Sequence, residues 1–241
     1  MSIKKHISYV KHEGSSTGYV NLGGSNEDYD ETASEALVIM AVGIKKHWKA
    51  PISFHFINGI KAETQKGLLF NAIESLAVID IRARLVIMDG HRTNISMMKK
   101  LGCELGSGNV TFTPPFDSNL TIYCMLDPVH MIKVLRNCLG DHQTIITPDG
   151  VARWKHIESL VSLQNSSHLH LANKLTNQHV NYKDNKMKVK YAVQVFSQST
   201  GDALTTLSEL QADYPEFAQA DQTGKFLKVS NCITNSYYVG L

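Results

Sequence analysis

Two aspartates in this chain follow directly after apolar segments that have the composition of β-strands. Asp89 follows the segment 85–88, and Asp127 follows the segment 123–126. Because a strand fixes such a carboxylate and the next turn exposes it, open α/β sheets place their chemistry at these positions. Carboxylate oxygens are also preferred ligands of Mg²⁺. The two aspartates therefore raise the question of a metal-dependent enzyme, or of a protein that descends from one.

The elements that would position these aspartates predict an α/β domain over residues 1–147. Antiparallel strands come first, followed by helix, strand, helix, strand and helix. This order fits a ribonuclease-H-like mixed sheet with flanking helices. Strands are predicted at 4–9, 18–22, 37–44, 52–57, 85–88 and 120–126, and helices at 64–78, 95–101 and 129–138.

The rest of the chain has a different pattern. Glycine and proline become scarce, and apolar residues recur with helical spacing over 151–164 and 188–210. We therefore expect an all-helical domain over residues 148–241. The turn from Thr147 to Gly150 is the predicted hinge between the two domains.

Composition excludes few classes of protein. A net charge of +2 is too small to indicate nucleic-acid binding by itself. The four cysteines are far apart without a C-x-x-C pair, and no signal peptide is recognisable, which predicts a nuclear or cytoplasmic protein. No apolar run approaches the length of a membrane span, so no membrane partner is expected. The oligomeric state cannot be read from the sequence.

Several short strings are together specific enough to name a family, because their order is preserved over nearly the whole chain. The strings are 18–23, 48–52, 88–90, 127–133, 173–176 and 187–189. They resemble the P-element-type transposases, including the vertebrate THAP-domain relatives. The resemblance implies a ribonuclease-H-like catalytic domain that is interrupted by a helical, GTP-binding insertion domain. It also implies Mg²⁺ and GTP as cofactors and DNA as the partner, with two divalent ions promoting strand cleavage and strand transfer.

The resemblance places Asp89 on the second acidic position of the catalytic set, as a metal ligand. The alternative for Asp89 is an N-cap of the following helix. Asp127 falls at the start of a later helix, where capping is the expected role. The first acid would precede Met1 and the last would follow the helical domain, so we expect a fragment that is inactive alone.

For the nucleotide, the resemblance implies phosphate or base contacts at Lys174, Lys188 and Val189. The alternative is that these lysines belong to a solvated helix face. Asn235 or Thr234 stands where the family has an aspartate that recognises guanine. An amide presents a donor as well as an acceptor, so it cannot copy two carboxylate acceptors.

The segment 45–49 is a basic cluster that contains Trp48. It is either a contact to a phosphate backbone or a solvated turn whose tryptophan packs inward, and we favour the solvated turn.

Three functions remain open from the sequence. The first is a fragment of a P-element-like transposase. The second is a domesticated protein that keeps the fold in order to bind a nucleotide or a partner. The third is a complete nuclease in which Asp89 and Asp127 join a third acid such as Asp117 or Glu104.

Overall fold

The computed structural model describes residues 1–12, 15–23, 30–106, 108–167, 171–172 and 174–238, with the backbone alone at 10, 15 and 233–238. Its internal contacts divide the chain into two compact units, Met1–Met125 and Leu126–Leu241. Among the described helices, none is long and apolar enough to span a bilayer.

The first unit begins with antiparallel pairs of strands. β1 (Ser8–Val10) pairs with β2 (Ser15–Thr17), and β3 (Glu35–Val42) pairs with β4 (Lys49–Ile57). The register between β3 and β4 shifts beside Pro51. Proline has no N–H to donate to a ladder, which is why it is tolerated at such an irregularity.

The rest of the first unit alternates helices and strands. α1 (Ala62–Val78) is followed by β5 (Leu85–Met88) and α2 (Arg92–Lys100), and then by β6 (Thr111–Phe112) and β7 (Ile122–Leu126). The three strands form one sheet in the order β5-β7-β6. The buried residues of this region include Leu69, Ile73, Met98, Ile122 and Cys124.

The second unit is mainly helical around one core. It contains α3 (Pro128–His142), the hairpin of β8 (Thr144–Thr147) and β9 (Gly150–Arg153), α4 (Trp154–Ser167), α5 (Asn177–Val180), a 3₁₀ helix at Tyr182–Asn185, α6 (Val189–Val195), α7 (Gln198–Glu209), a 3₁₀ helix at Pro215–Phe217 and α8 (Ala220–Tyr238). The largest fully buried apolar side chains in its core are Trp154, Phe196 and Phe217.

The turn predicted as a hinge, from Thr147 to Gly150, lies within a β-hairpin. Residues Thr147 and Gly150 pair as the last residues of β8 and β9, so Pro148 and Asp149 form the two-residue loop of a hairpin. The Thr147 hydroxyl donates to the Gly150 carbonyl at 2.9 Å and closes this turn. The unit boundary lies earlier, before α3, because α3 packs against α6 and α8.

The helix predicted over 188–210 is two helices. α6 ends at Val195, and α7 starts after Ser197, whose hydroxyl accepts a hydrogen bond from the backbone N–H of Thr200 at 3.3 Å. A serine at the N-cap satisfies donors that a new helix leaves unpaired, so it favours a fresh start over continuation.

Candidate metal and nucleotide sites

Asp89 is the exposed residue that follows β5. Its Oδ1 accepts hydrogen bonds from the backbone N–H of His91 at 2.9 Å and from the side-chain amide of Asn94 at 2.8 Å. The N-cap of α2 is His91, whose Nδ1 accepts from the backbone N–H of Thr93 at 3.4 Å. Asp89 therefore does not stand at the capping position.

A buried glutamine supports the amide that holds Asp89. Gln65 of α1 is 8% exposed, and its Nε2 donates to Oδ1 of Asn94 at 2.5 Å. Its Oε1 has no hydrogen-bond partner among the described residues. Since α1 packs against α2, this bond fixes the Asn94 amide in the orientation that donates to Asp89.

Asp89 is suited to be one of several ligands of a hard divalent cation. An exposed, oriented carboxylate suits Mg²⁺, which is bound through one or two carboxylates and keeps several waters. Among the residues that the structure describes, no group of three or more His, Cys, Asp or Glu side chains is placed to hold a metal ion. Asp89 would thus supply one ligand of a metal site.

Asp127 caps a helix, as predicted. Its Oδ1 accepts from the backbone N–H of Val129 at 3.0 Å, and Pro128 occupies the first turn of α3. Proline is favoured there because its missing N–H would have no partner in the helix. Asp117 also serves a local turn, since its Oδ1 accepts from the backbone N–H of Asn119 at 3.0 Å.

The nucleotide candidates Lys188 and Val189 lie at the start of α6. Lys188 is exposed, and its Nζ lies 5.4 Å from the centre of the Tyr191 ring. The Tyr191 ring packs edge-on against His179 at 4.8 Å, and its hydroxyl donates to the side chain of Gln178. Val189 is half-buried as the first residue of the helix.

Lys174 lies on a neighbouring segment that the same histidine holds. The ring Nδ1 of His179 accepts from the backbone N–H of Thr176 at 3.0 Å, and its Nε2 contacts Oε1 of Gln194 at 2.9 Å. His179 therefore ties the segment that carries exposed Lys174 to α6, whose N-cap is Lys188. Asn235 belongs to α8, where the backbone alone is described.

The framework of His179 and Tyr191 was not assigned a role from the sequence. The spacing of Thr176 and His179 is that of a capping box, in which two residues three apart satisfy each other's backbone N–H groups. That spacing could have revealed the cap. The contact between His179 and Tyr191 could not have been found in this way, because it depends on how α5 packs against α6.

Residues 45–48 of the basic cluster lie in the connection between β3 and β4, and Lys49 begins β4. The lysines of the cluster are exposed, as a solvated turn requires. Trp48 packs only in part, since it remains 39% exposed while its ring covers Gly43. The expectation of an inward-packed tryptophan is therefore met only halfway.

A polar cavity of about 470 Å³ lies beside α3 in the second unit, lined among others by Asp141, Trp154, Glu158 and Tyr182. The Tyr182 hydroxyl donates to Oδ1 of Asp141 at 2.7 Å. Burial of the ring, and then this bond to a carboxylate, raise the pKa of Tyr182 to about 12. The same bond, together with Lys186 and Lys183 nearby, lowers the pKa of Asp141.

These features define a protein with an α/β unit, in which a carboxylate follows a strand, and a helical unit after it. Residues 1–102 match the family described as "TNP-like, RNase H N-terminal domain". Residues 129–237 match the family described as "TNP-like, GTP-binding insertion domain". The chain therefore belongs to the P-element-like transposase family, as the sequence strings predicted.

Two curated relatives agree with this membership. The human protein named DNA transposase THAP9 is 32% identical over 235 residues, which are 96% of this chain and 26% of that protein. The Drosophila melanogaster protein named Transposable element P transposase is 28% identical over 190 residues, which are 78% of this chain and 24% of that protein. The chain thus spans about a quarter of the length of each relative.

A solved structure confirms the predicted fold class. The Drosophila P element transposase strand transfer complex contains a chain that matches with a TM-score of 0.79 and 24% identity. The match covers 96% of this chain and 47% of that chain. The fold is therefore a ribonuclease-H-like α/β arrangement followed by a helical region.

Proposed function

We propose that this chain forms the ribonuclease-H-like and nucleotide-binding portion of a DNA transposase, in which Asp89 is a catalytic, metal-binding carboxylate. The proposal is supported chiefly by the hydrogen bonds that orient Asp89. The backbone N–H of His91 and the side-chain amide of Asn94 both donate to its Oδ1 at the end of β5. A carboxylate that only capped α2 would occupy the N-cap position, and His91 occupies it. DNA is the substrate, and a transposase that acts on chromosomal DNA would work in the nucleus.

The residues of this chain orient the carboxylate. When bound, Mg²⁺ would supply Lewis acidity to the attacking and leaving oxygens of a phosphodiester. Asn94 and the His91 amide keep Asp89 in one orientation, and Gln65 keeps Asn94 in place. One carboxylate cannot hold a pair of divalent ions tightly. Because the described residues contain no group of three or more His, Cys, Asp or Glu side chains placed to hold a metal ion, we expect Asp89 to act with further carboxylates.

GTP is the nucleotide that we propose for the helical unit. Lys174 and Lys188 would contact its phosphates as point charges, Val189 would contact the nucleotide beside Lys188, and Asn235 would face the base. Support comes from the exposure of both lysines and from the His179 framework that joins their segments. Because Asn235 carries an amide, we expect weak preference for guanine over adenine.

A cleavage assay tests the expectation that Asp89 cannot form a working catalytic centre within this chain alone. The chain is incubated with duplex DNA and Mg²⁺ or Mn²⁺, with Asp89→Ala as the matched variant. We expect no strand cleavage from either protein. Cleavage by the wild type that Asp89→Ala abolishes would mean that the chain assembles a working centre by itself.

Calorimetric titration with GTP tests the proposed nucleotide binding. We expect saturable heat that Lys188→Ala weakens and that Lys225→Ala leaves unchanged, because Lys225 lies on α8 in an ion pair with Asp221. Titration with ATP measures the preference for the base. Absence of heat and of any thermal shift at millimolar GTP would remove nucleotide binding from the proposal.

A domesticated nucleotide-binding protein is the alternative function. The test places this chain in an otherwise complete transposase, in exchange for the matching segment. Tight GTP binding without metal-dependent strand transfer by this chimera would favour the domesticated binding protein. Strand transfer that depends on Asp89 in the same chimera would favour the transposase.

A further inference from the structure

Arg136 is a fully buried cation without a carboxylate partner among its described contacts. It lies in α3 with 0% of its surface exposed. Its Nε donates to Oδ1 of Asn137 at 2.7 Å, and its Nη2 donates to the carbonyls of Asn185 at 3.0 Å and Lys186 at 3.1 Å. Its Nη1 has no hydrogen-bond partner among the described residues.

Such burial is unfavourable for stability alone. Removing a charge from water costs several kcal/mol, and replacing buried charged groups by apolar ones is often neutral or stabilising. Burial accordingly lowers the pKa of Arg136. A buried cation of this kind can fix a local geometry, and the carbonyls of Asn185 and Lys186 are the groups that Arg136 fixes.

The Asn185 carbonyl connects Arg136 to the nucleotide candidate. The same oxygen that accepts from Arg136 Nη2 also accepts from the backbone N–H of Lys188 at 3.0 Å. Arg136 therefore holds the carbonyl to which the backbone of Lys188 is bonded. At its other end, the Lys188 side chain lies over the Tyr191 ring.

Tyr182 also attaches this segment to α3. The Arg136 guanidinium lies 5.8 Å from the centre of the Tyr182 ring, and the Tyr182 hydroxyl donates to Asp141. The segment from Tyr182 to Lys188 is thus attached to α3 by several contacts, which include those of Arg136 and Asp141. Arg136 bonds to the Asn185 carbonyl that also accepts from the Lys188 backbone, whereas Asp141 bonds to the Tyr182 hydroxyl and pairs with Lys186.

We infer that Arg136 is a positioning residue of the nucleotide site, which fixes the backbone of Lys188 so that its ammonium group meets a phosphate. The inference rests on the proposed binding of GTP by Lys188. It adds a residue that does not touch the nucleotide and acts through the Asn185 carbonyl.

The test combines GTP affinity with exchange of a single amide. Arg136→Met removes the hydrogen-bond donors at similar side-chain volume. Arg136→Lys keeps the positive charge but loses the planar set of guanidinium N–H donors. Tyr182→Phe is the matched control, because it removes only the hydrogen bond to Asp141. For Arg136→Met we expect about tenfold weaker GTP binding by calorimetry and faster hydrogen exchange of the Lys188 amide, with α7 amides unchanged. Arg136→Lys should restore part of the affinity. Tyr182→Phe should lower the melting temperature and leave the affinity unchanged.

A double-mutant cycle separates positioning from a general structural role. If Arg136 acts through Lys188, then Arg136→Met has little further effect on GTP affinity in a Lys188→Ala background. Additive losses, or an unchanged Lys188 amide in Arg136→Met, would overturn the inference while leaving GTP binding intact. Absence of GTP binding by the wild type would instead refute the proposed function, and with it the nucleotide role of Arg136.

Discussion

Gly140 of α3 lies directly against the ring of Tyr182. A Cβ atom at residue 140 would stand 2.5 Å from Cε1 and Cζ of that ring. Real side chains do not approach so closely, so the absence of a side chain at this position allows the segment that begins at Tyr182 to pack on α3. Arg136 and Asp141 then engage that segment on either side of the contact.

Gly140→Ala should destabilise the protein by roughly 1–3 kcal/mol, because the Tyr182 ring must move out of a packed position. Gly67→Ala is the matched control in the exposed part of α1, since nothing lies within 4 Å of its Cβ position. There the usual preference for alanine in a helix should stabilise by about 0.5–1 kcal/mol. Urea denaturation measures both, and equal effects of the two substitutions would contradict the packing against Tyr182.

Asp127→Ala should lower the free energy of unfolding by about 1 kcal/mol through loss of the cap on α3. Asp127→Ser should retain most of the stability, since a hydroxyl also accepts from the backbone N–H of Val129. The two variants can be compared by thermal or urea unfolding. If the serine variant were as unstable as the alanine variant, the charge of Asp127 rather than its capping bond would be what matters.

His156 should make stability depend on pH. Burial lowers its pKa below 6.5, and its Nδ1 lies 2.8 Å from the Thr223 hydroxyl, which itself accepts from the backbone N–H of Arg153. The folded state therefore prefers the neutral ring. Its contribution is present above pH 6.5 and is lost as the pH falls toward the lower pKa of the folded state.

Unfolding free energies measured across this pH range check the role of His156. We expect the wild type to lose stability on acidification more steeply than His156→Asn, which keeps a polar side chain but cannot gain a proton. Parallel pH profiles for the two proteins would show that His156 does not titrate differently on unfolding.

Tyr182 should remain protonated where ordinary tyrosines ionise, because its pKa is raised to about 12. Ultraviolet titration of the wild type and of Tyr182→Phe should give equal numbers of ionising tyrosines up to about pH 11. One additional tyrosine that ionises near pH 10 in the wild type alone would contradict the burial of Tyr182 and its bond to Asp141.

Local patterns in the sequence predicted part of the fold correctly. The strand 85–88 is β5 over the same residues, and the cap at Asp127 followed from an aspartate before a proline. The two compact units divide before α3 rather than after Thr147, because the partners of α3 lie in α6 and α8, far along the chain. Strand β9 was missed because its sequence, Gly-Val-Ala-Arg, lacks the continuous apolar run that marks β5.

A candidate site could be proposed from the sequence only where the chemistry of a single residue suggested it. Asp89 could be proposed from its place after an apolar run, and Lys188 from the family resemblance. The residues that position Asp89 and Lys188 could not be predicted in this way. Arginine is almost never fully buried, so nothing in the sequence indicates that Arg136 lies beneath the segment that carries Lys188. Gln65 likewise reaches Asn94 only through the packing of α1 on α2.

Mn²⁺ titration followed by NMR tests the central claim, that Asp89 binds a divalent metal ion. Because Asn94 donates to Asp89 at 2.8 Å, a paramagnetic ion on this carboxylate should broaden the Asn94 side-chain amide signals before others. We predict selective broadening in the wild type and its loss in Asp89→Ala, with the Asn119 amide beside Asp117 as an internal control. Broadening at Asn94 that persists in Asp89→Ala, or that never exceeds broadening at Asn119, would contradict the account.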